Sequence, residues 1–224
     1  MILWGSVVNA VAILLGAMLG VSLKLREEIR VTIMQGLGLA VMVIGISMGL
    51  ASENILLPIA SLVVGGIIGE SINIEARLAA IGRLLDRKPM DGEDGLTHGF
   101  LTASLVYCVG AMAVLGALDS GLQKSHDILY AKSMLDGVSA IFFASSFGIG
   151  VAFSSIPVFL YQGSIALLAN FLAPLFHPSA IVEMTSTGGM LIIGIGMNVL
   201  GIAKISVGNL LPALGVAVIL SMFF

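Results

Sequence analysis

The sequence predicts an all-α integral membrane protein of about eight transmembrane helices, organised as a single membrane domain over residues 1–224. Three observations carry this. Hydrophobic residues make up 58% of the chain and charged ones only 10%, whereas a soluble domain carries about 25% charged residues. Mean hydropathy is +1.11. Long windows also lack Asp, Glu, Lys and Arg altogether, and a bilayer core about 30 Å thick needs roughly 20 apolar residues in a helix. The net charge of −3 and the absence of a basic block leave no phosphate-neutralising surface, so no nucleic-acid partner is expected. Cys108 is the single cysteine, and alone it makes neither an internal disulfide nor a thiolate metal site.

The first span, residues 2–23, is the opening charge-free window. No Lys or Arg precedes Lys24, so it lacks the positive start of a secretory leader and reads as a retained helix. Windows at 31–52 and 54–71 supply the second and third spans. Residues 72–98 form a cytoplasmic amphipathic segment, with Ile74, Leu78, Ile81 and Leu85 on one stripe. Arg77, Arg83, Arg87 and Lys88 flank that stripe, Pro89 stops it, and Asp91, Glu93 and Asp94 follow in a solvated loop. Such a helix lies in the headgroup plane with membrane lipid as its partner, the other reading being a protein-binding helix.

The fourth span is 99–118. The next charge-free window, Gly137 to Val182, has 46 residues and as one helix would run roughly 69 Å, more than twice the bilayer. It must fold back, and Ser154-Ser155 before Pro157 place the hairpin there, giving spans 132–153 and 157–175. Spans 184–203 and 205–224 complete the eight. With an outside N-terminus, Lys24, Arg26, Arg30, Arg77, Arg83, Arg87, Lys88 and Lys204 fall inside, and only Lys124 and Lys132 outside. That is the positive-inside bias, and it puts both termini outside.

Two motifs recur. Val43 to Met48 followed by Asn54-Ile55-Leu56-Leu57-Pro58 resembles Ile192 to Met197 followed by Asn209-Leu210-Leu211-Pro212, and Trp4-Gly5-Ser6 matches Gln162-Gly163-Ser164. Spans 1–3 would then correspond to spans 6–8. Copies an odd number of spans apart have opposite orientation, so this is an inverted repeat, with chance similarity in an apolar chain as the alternative. Gly16 with Gly20, Gly45 with Gly49, and Gly65 with Gly69 are four apart, the spacing at which membrane helices approach closely. The twelve methionines are scattered gap-fillers, and a thioether Cu(I) site is the lesser reading.

Ionisable groups inside a membrane are expensive, so each is a functional hypothesis. Asp136 lies four residues from Lys132 on the fifth span, the spacing that lets the two meet. They read either as an ion or substrate gate, with Ser139, Ser145 and Ser146 continuing a polar track, or as an ion pair at the helix rim. Glu70 ends the third span and reads as a pathway group or as a helix end reaching water. Glu183 is placed at the start of the seventh span, where a carboxylate complements the helix dipole. Asn9, Gln162, Asn170 and Asn198 are amides at membrane depth, where each needs an interhelical partner or a ligand.

Enzyme chemistry is not expected. His98, His126 and His177 lie in loops or at span ends, and neither an H-E-x-x-H nor a G-x-S-x-G pattern occurs. No phosphate-cradling loop for ATP appears, and no cofactor or metal is implied.

The run Ser104 to Met112, then Lys132-Ser133-Met134-Leu135-Asp136-Gly137, Tyr161-Gln162-Gly163 and Asn209-Leu210-Leu211-Pro212 resembles the YqgA-like family of uncharacterised bacterial membrane proteins. Asn9 through Gly20, and Gly65-Gly66 with Glu70, extend the likeness over nearly the whole chain. The resemblance implies a multi-pass protein of the bacterial cytoplasmic (inner) membrane, grouped with transporters but with no established substrate. The leading expectation is a small secondary transporter or channel for a small solute or ion. A structural or regulatory membrane subunit is the alternative, and a homo-oligomer is open in either case.

Overall fold

The computed structural model describes residues 1–23, 26–77, 80 and 96–223, and among these it contains helices and turns but no strand. The helices are α1 (Trp4–Ser22), α2 (Glu27–Gly49), α3 (Leu56–Ile72), α4 (Leu96–Cys108), α5 (Ala111–Leu122), α6 (Asp127–Phe147), α7 (Gly150–Phe153), α8 (Ser155–Leu167), α9 (Ala169–Leu172), α10 (Pro178–Val199), α11 (Val207–Leu210) and α12 (Pro212–Leu220). Five stretches are long and apolar enough to cross a membrane: α1, α2, α6, Gly150–Leu167 and α10. The pair α4 and α5, bent by 61°, makes a sixth if counted as one broken span, while α3 and Val207–Leu220 are apolar but shorter. The chain is an all-helical membrane protein.

Several boundaries differ from the sequence reading, each for a local reason. The long window turns at Gly148 (φ +76°), not at Pro157. The glycine takes the positive φ that ends α6, whereas Pro157 sits in the first turn of α8, where a missing N–H leaves no bond unmade. The fourth span is not continuous, because it breaks at Val109-Gly110, where Gly110 has φ +130°. The seventh span begins at Pro178 rather than at 184. The eighth breaks at Leu211, ahead of the imino nitrogen of Pro212. Of the amphipathic segment, Ile74 to Arg77 is helical; Leu78, Ile81, Arg83, Leu85, Arg87, Lys88, Pro89, Asp91, Glu93 and Asp94 lie outside the described residues, as does Lys24.

The chain divides into two compact units. The first comprises Met1–Met34, Ala79–Cys108 and Met112–Leu172. Its principal packing is α1 on α6. The buried face of α1 is Gly5, Ser6, Asn9, Ile13, Gly16, Ala17 and Gly20, a stripe of small and polar residues, while Leu15, Met18 and Leu19 point outward and are more than half exposed. Lipid is as apolar as leucine, so such helices gain by close backbone contact rather than by hiding large side chains. A methyl on Gly16 would overlap the Gly137 carbonyl, and one on Gly20 the Ile141 carbonyl. The contacts advance together along both helices, so α1 and α6 run parallel. Helix α4 runs antiparallel to α6, with Gly99 against Phe147 and Ser139 beside Tyr107.

The second unit comprises Gln35–Leu78, Val109–Ala111 and Ala173–Phe224. Here α2 meets α10 and α3 meets the α11–α12 stretch, again at glycine. Gly45 touches Gly189 and Ile193, and Gly196 touches Gly38 and Met42. Gly65 lies on Ala213 and Gly69 on Asn209. In both pairs the numbers rise on one helix as they fall on the other, so both are antiparallel.

Candidate functional site

Within the first unit, the four-residue spacing on α6 brings Lys132 and Asp136 into an ion pair. Lys132 Nζ lies 3.0 Å from Asp136 Oδ1 and 2.9 Å from Oδ2. Both are buried, at 7% and 6% exposure, and α6 begins well before them at Asp127. That burial distinguishes the pair from a solvated ion pair at a helix rim. From α1, Asn9 Nδ2 donates to Asp136 Oδ2 at 3.0 Å, a bond that the close glycine contact of the two helices permits. The carboxylate is therefore held by a cation on its own helix and an amide from another.

One turn further on, the Ser139 hydroxyl donates to the Asp136 carbonyl at 3.0 Å and lies 3.4 Å from the Tyr107 hydroxyl. Tyr107 is fully buried and packs on Phe143. Three helices therefore bring polar groups to one region: α1, α4 and α6.

Gln162 on α8 is 0% exposed, and neither its Nε2 nor its Oε1 has a hydrogen-bond partner. Helix α8 packs on α1, where Gly163 faces Leu3. On the same buried face of α1, Ser6 Oγ and Asn9 Oδ1 are also unpartnered and fully buried. An unpaired buried polar group costs about 1–3 kcal/mol, and for these four atoms on two touching helices the chain itself supplies no partner.

Other expected members lie apart from this cluster. Ser145 donates to Phe142 O at 2.7 Å within its own helix. Ser146 is buried with an unpartnered hydroxyl, ten residues beyond Asp136. Sequence reasoning did not single out Ser6 or Tyr107 as site residues. The signal for Ser6 is its place three residues before Asn9 on one helical face, and Tyr107 is a phenol in a run otherwise short of polar groups.

The second unit has its own polar contacts. Asn198 closes the turn after α10, with Nδ2 donating to Ile205 O and Oδ1 accepting from Ile205 N, both at 2.8 Å. Glu70, exposed at the end of α3, accepts from Asn209 Nδ2 at 2.7 Å. Asn209 Oδ1 accepts the Glu75 N–H at 2.7 Å, and Glu75 Oε2 accepts the Gly208 N–H at 3.0 Å. These reciprocal bonds clasp the end of α3 to α11. Burial pushes the Glu75 carboxyl above its usual range, the Gly208 N–H opposes that shift, and the nearby Glu70 charge adds to it. Glu183 does not start its helix. It stands on the sixth residue of α10, is 3% exposed, and accepts from Ser52 Oγ at 2.7 Å and Glu53 N at 3.3 Å. Among the described residues, no three or more His, Cys, Asp or Glu side chains gather as a metal site would require.

A family profile described as "Protein of unknown function (DUF554)" matches residues 4–222. The chain is similar to "Uncharacterized membrane protein YdfK" of Bacillus subtilis (strain 168), at 34% identity over 218 residues, covering 95% of this chain and 93% of that one. It is also similar to "Uncharacterized protein YqgA" of Escherichia coli (strain K12), at 33% identity over 226 residues, covering 97% and 95% respectively. No solved structure matches.

Proposed function

The chain belongs to the DUF554 family, and from that premise we propose that it is a small secondary transporter or channel of the bacterial inner membrane, moving a small solute or ion past Asp136. The observation that carries this reading is the buried cluster of Lys132, Asp136 and Asn9, together with the buried, unpartnered amide of Gln162 on α8, a helix that packs on the same α1. Polar groups are costly at membrane depth and are retained there chiefly for pathways and relays. Ser6, Asn9 and Gln162 are each 0% exposed, as in an occluded carrier, so alternating access suits them better than an open pore.

Eight passes in strict alternation fit the helix directions, and the charge bias is what favours both termini outside. Spans 1 and 5 run parallel as α1 and α6, spans 4 and 5 antiparallel as α4 and α6, and spans 2 and 7 antiparallel as α2 and α10. Strict alternation through eight spans requires each of these. The proposed inverted repeat of spans 1–3 and 6–8 gains support because every helix of one copy touches its counterpart: α1 on α8, α2 on α10, α3 on α12. Any antiparallel pair has a local two-fold axis, and the glycine contacts of α2 with α10, Gly45 on Gly189 and Gly38 on Gly196, centre that axis two residues away from the register in which the motif aligns Gly45 with Gly194.

Reconstituted protein should catalyse solute or ion flux that Asp136→Asn abolishes. A structural or regulatory subunit would show no flux of any kind, and that result would remove the transport reading.

A further inference from the structure

Resting on the transport reading above, we infer that the site around Gln162 takes a small uncharged solute carrying both hydrogen-bond donors and acceptors, of the polyol or amide class, rather than an ion. The first argument is charge. The buried formal charges among the described residues of the first unit are Lys132 and Asp136, and they neutralise one another at 3.0 and 2.9 Å. A cluster of zero net charge adds no Coulombic attraction for an ion, which would have only neutral dipoles to offset the loss of its hydration shell, the dominant cost of bringing an ion into a low-dielectric interior.

The second argument is the inventory of free valences. The carboxylate oxygens are taken up by Lys132 and Asn9. The unpartnered buried atoms of α1 and α8 are neutral: Gln162 Nε2, a donor; Gln162 Oε1 and Asn9 Oδ1, acceptors; and Ser6 Oγ, which serves as either, as do the unpartnered hydroxyls of Ser104 on α4 and Ser146 on α6. A cation site would present acceptors only, and an anion site donors only. The mixed set on two touching helices matches a solute whose hydroxyl or amide groups both give and receive hydrogen bonds. Asp136 and Lys132 then fix Asn9 so that its Oδ1 stays available, and they act on the solute through that amide.

The test uses the full-length protein in liposomes, comparing swelling in glycerol and urea gradients with flux of Rb⁺ and chloride, for the native chain and for Gln162→Met. Methionine keeps the length of the side chain and removes both unpaired amide atoms, so this variant should melt no lower than the native protein. The expected result is glycerol or urea uptake above that of empty vesicles, falling about tenfold in Gln162→Met, as loss of one or two buried hydrogen bonds to the solute would give. Rb⁺ or chloride flux without uncharged-solute uptake overturns this inference and leaves the transport reading standing. Uncharged-solute uptake that Gln162→Met leaves unchanged overturns the assignment of the site. Absence of every flux overturns the transport reading itself.

Discussion

Asp136→Asn leaves Lys132 Nζ buried with no carboxylate to face it. Breaking a buried pair in this way costs about 3–5 kcal/mol, so the variant should melt well below the native protein in detergent, and lost flux alone would not separate a structural role from a pathway role. The double variant Lys132→Met/Asp136→Leu makes the separation, because it removes both charges and should recover most of the lost stability. If the pair serves transport, reconstituted double variant shows no flux despite a near-native melt; full flux would remove the pair from the site. Glu75 offers a second test outside the spans. Its folded-state carboxyl sits above 4.5 because burial disfavours the charge. A raised folded value means that stability is fully present below 4.5 and declines as pH rises through the shifted value. Glu75→Gln keeps an acceptor for the Gly208 N–H and removes the charge, so the melting temperature of the native protein should fall between pH 4.5 and pH 7 relative to that of the variant. A parallel pH dependence for the two would show that Glu75 contributes nothing to it.

Glycine decides which helices touch. A side chain on Gly16 meets the Gly137 backbone and one on Gly20 meets that of Ile141, whereas a methyl on Gly36 finds nothing within 4 Å. Gly16→Val should therefore separate α1 from α6 and cost at least the 1–3 kcal/mol, roughly, of overpacking, while Gly36→Ala should be neutral or gain about 0.4–1 kcal/mol. Because Asn9 reaches Asp136 across that same seam, Gly16→Val should also lose flux. Melting curves of the two variants check the pair, and equal stability would mean that the seam is not a packing contact. This level was largely legible in the sequence. The Gly-x-x-x-Gly spacing showed the seams because close approach in lipid demands small residues, and the charge-free windows located the apolar helices. The breaks were not legible. At Gly148 and Gly110 they depend on backbone dihedrals, whereas Pro157, the stronger punctuation in the sequence, falls harmlessly in a first turn. Glu183 was misplaced for a related reason: Pro178 starts its helix earlier than the hydropathy window suggested. Of the site, Lys132 and Asp136 were readable from their spacing, but their meeting with Asn9, 127 residues away, is set by tertiary packing alone.

Across the whole chain the membrane topology ties these pieces together, since parallel and antiparallel pairs impose a parity on the number of crossings between them. The antiparallel contacts of α2 with α10 require an odd number of passes from one to the other, and the parallel contacts of α1 with α6 an even number. Deleting one pass between α2 and α6 spoils both. Eight passes with the Lys- and Arg-rich segments inside satisfy both parities and the charge bias together. The consequence is measurable with single cysteines in intact cells after Cys108→Ser. A cysteine replacing Gln123, in the turn between α5 and α6, should react with an impermeant maleimide from outside. One replacing Gly92 should react only after the cells are permeabilised. The reverse pattern would invert the protein, keeping its parity but contradicting the charge bias. Labelling of both positions from outside is the more damaging result: it would place an even number of crossings between residues 92 and 123, so that the bent α4 and α5 either re-enter on one face or cross twice, and eight passes in strict alternation could not be kept.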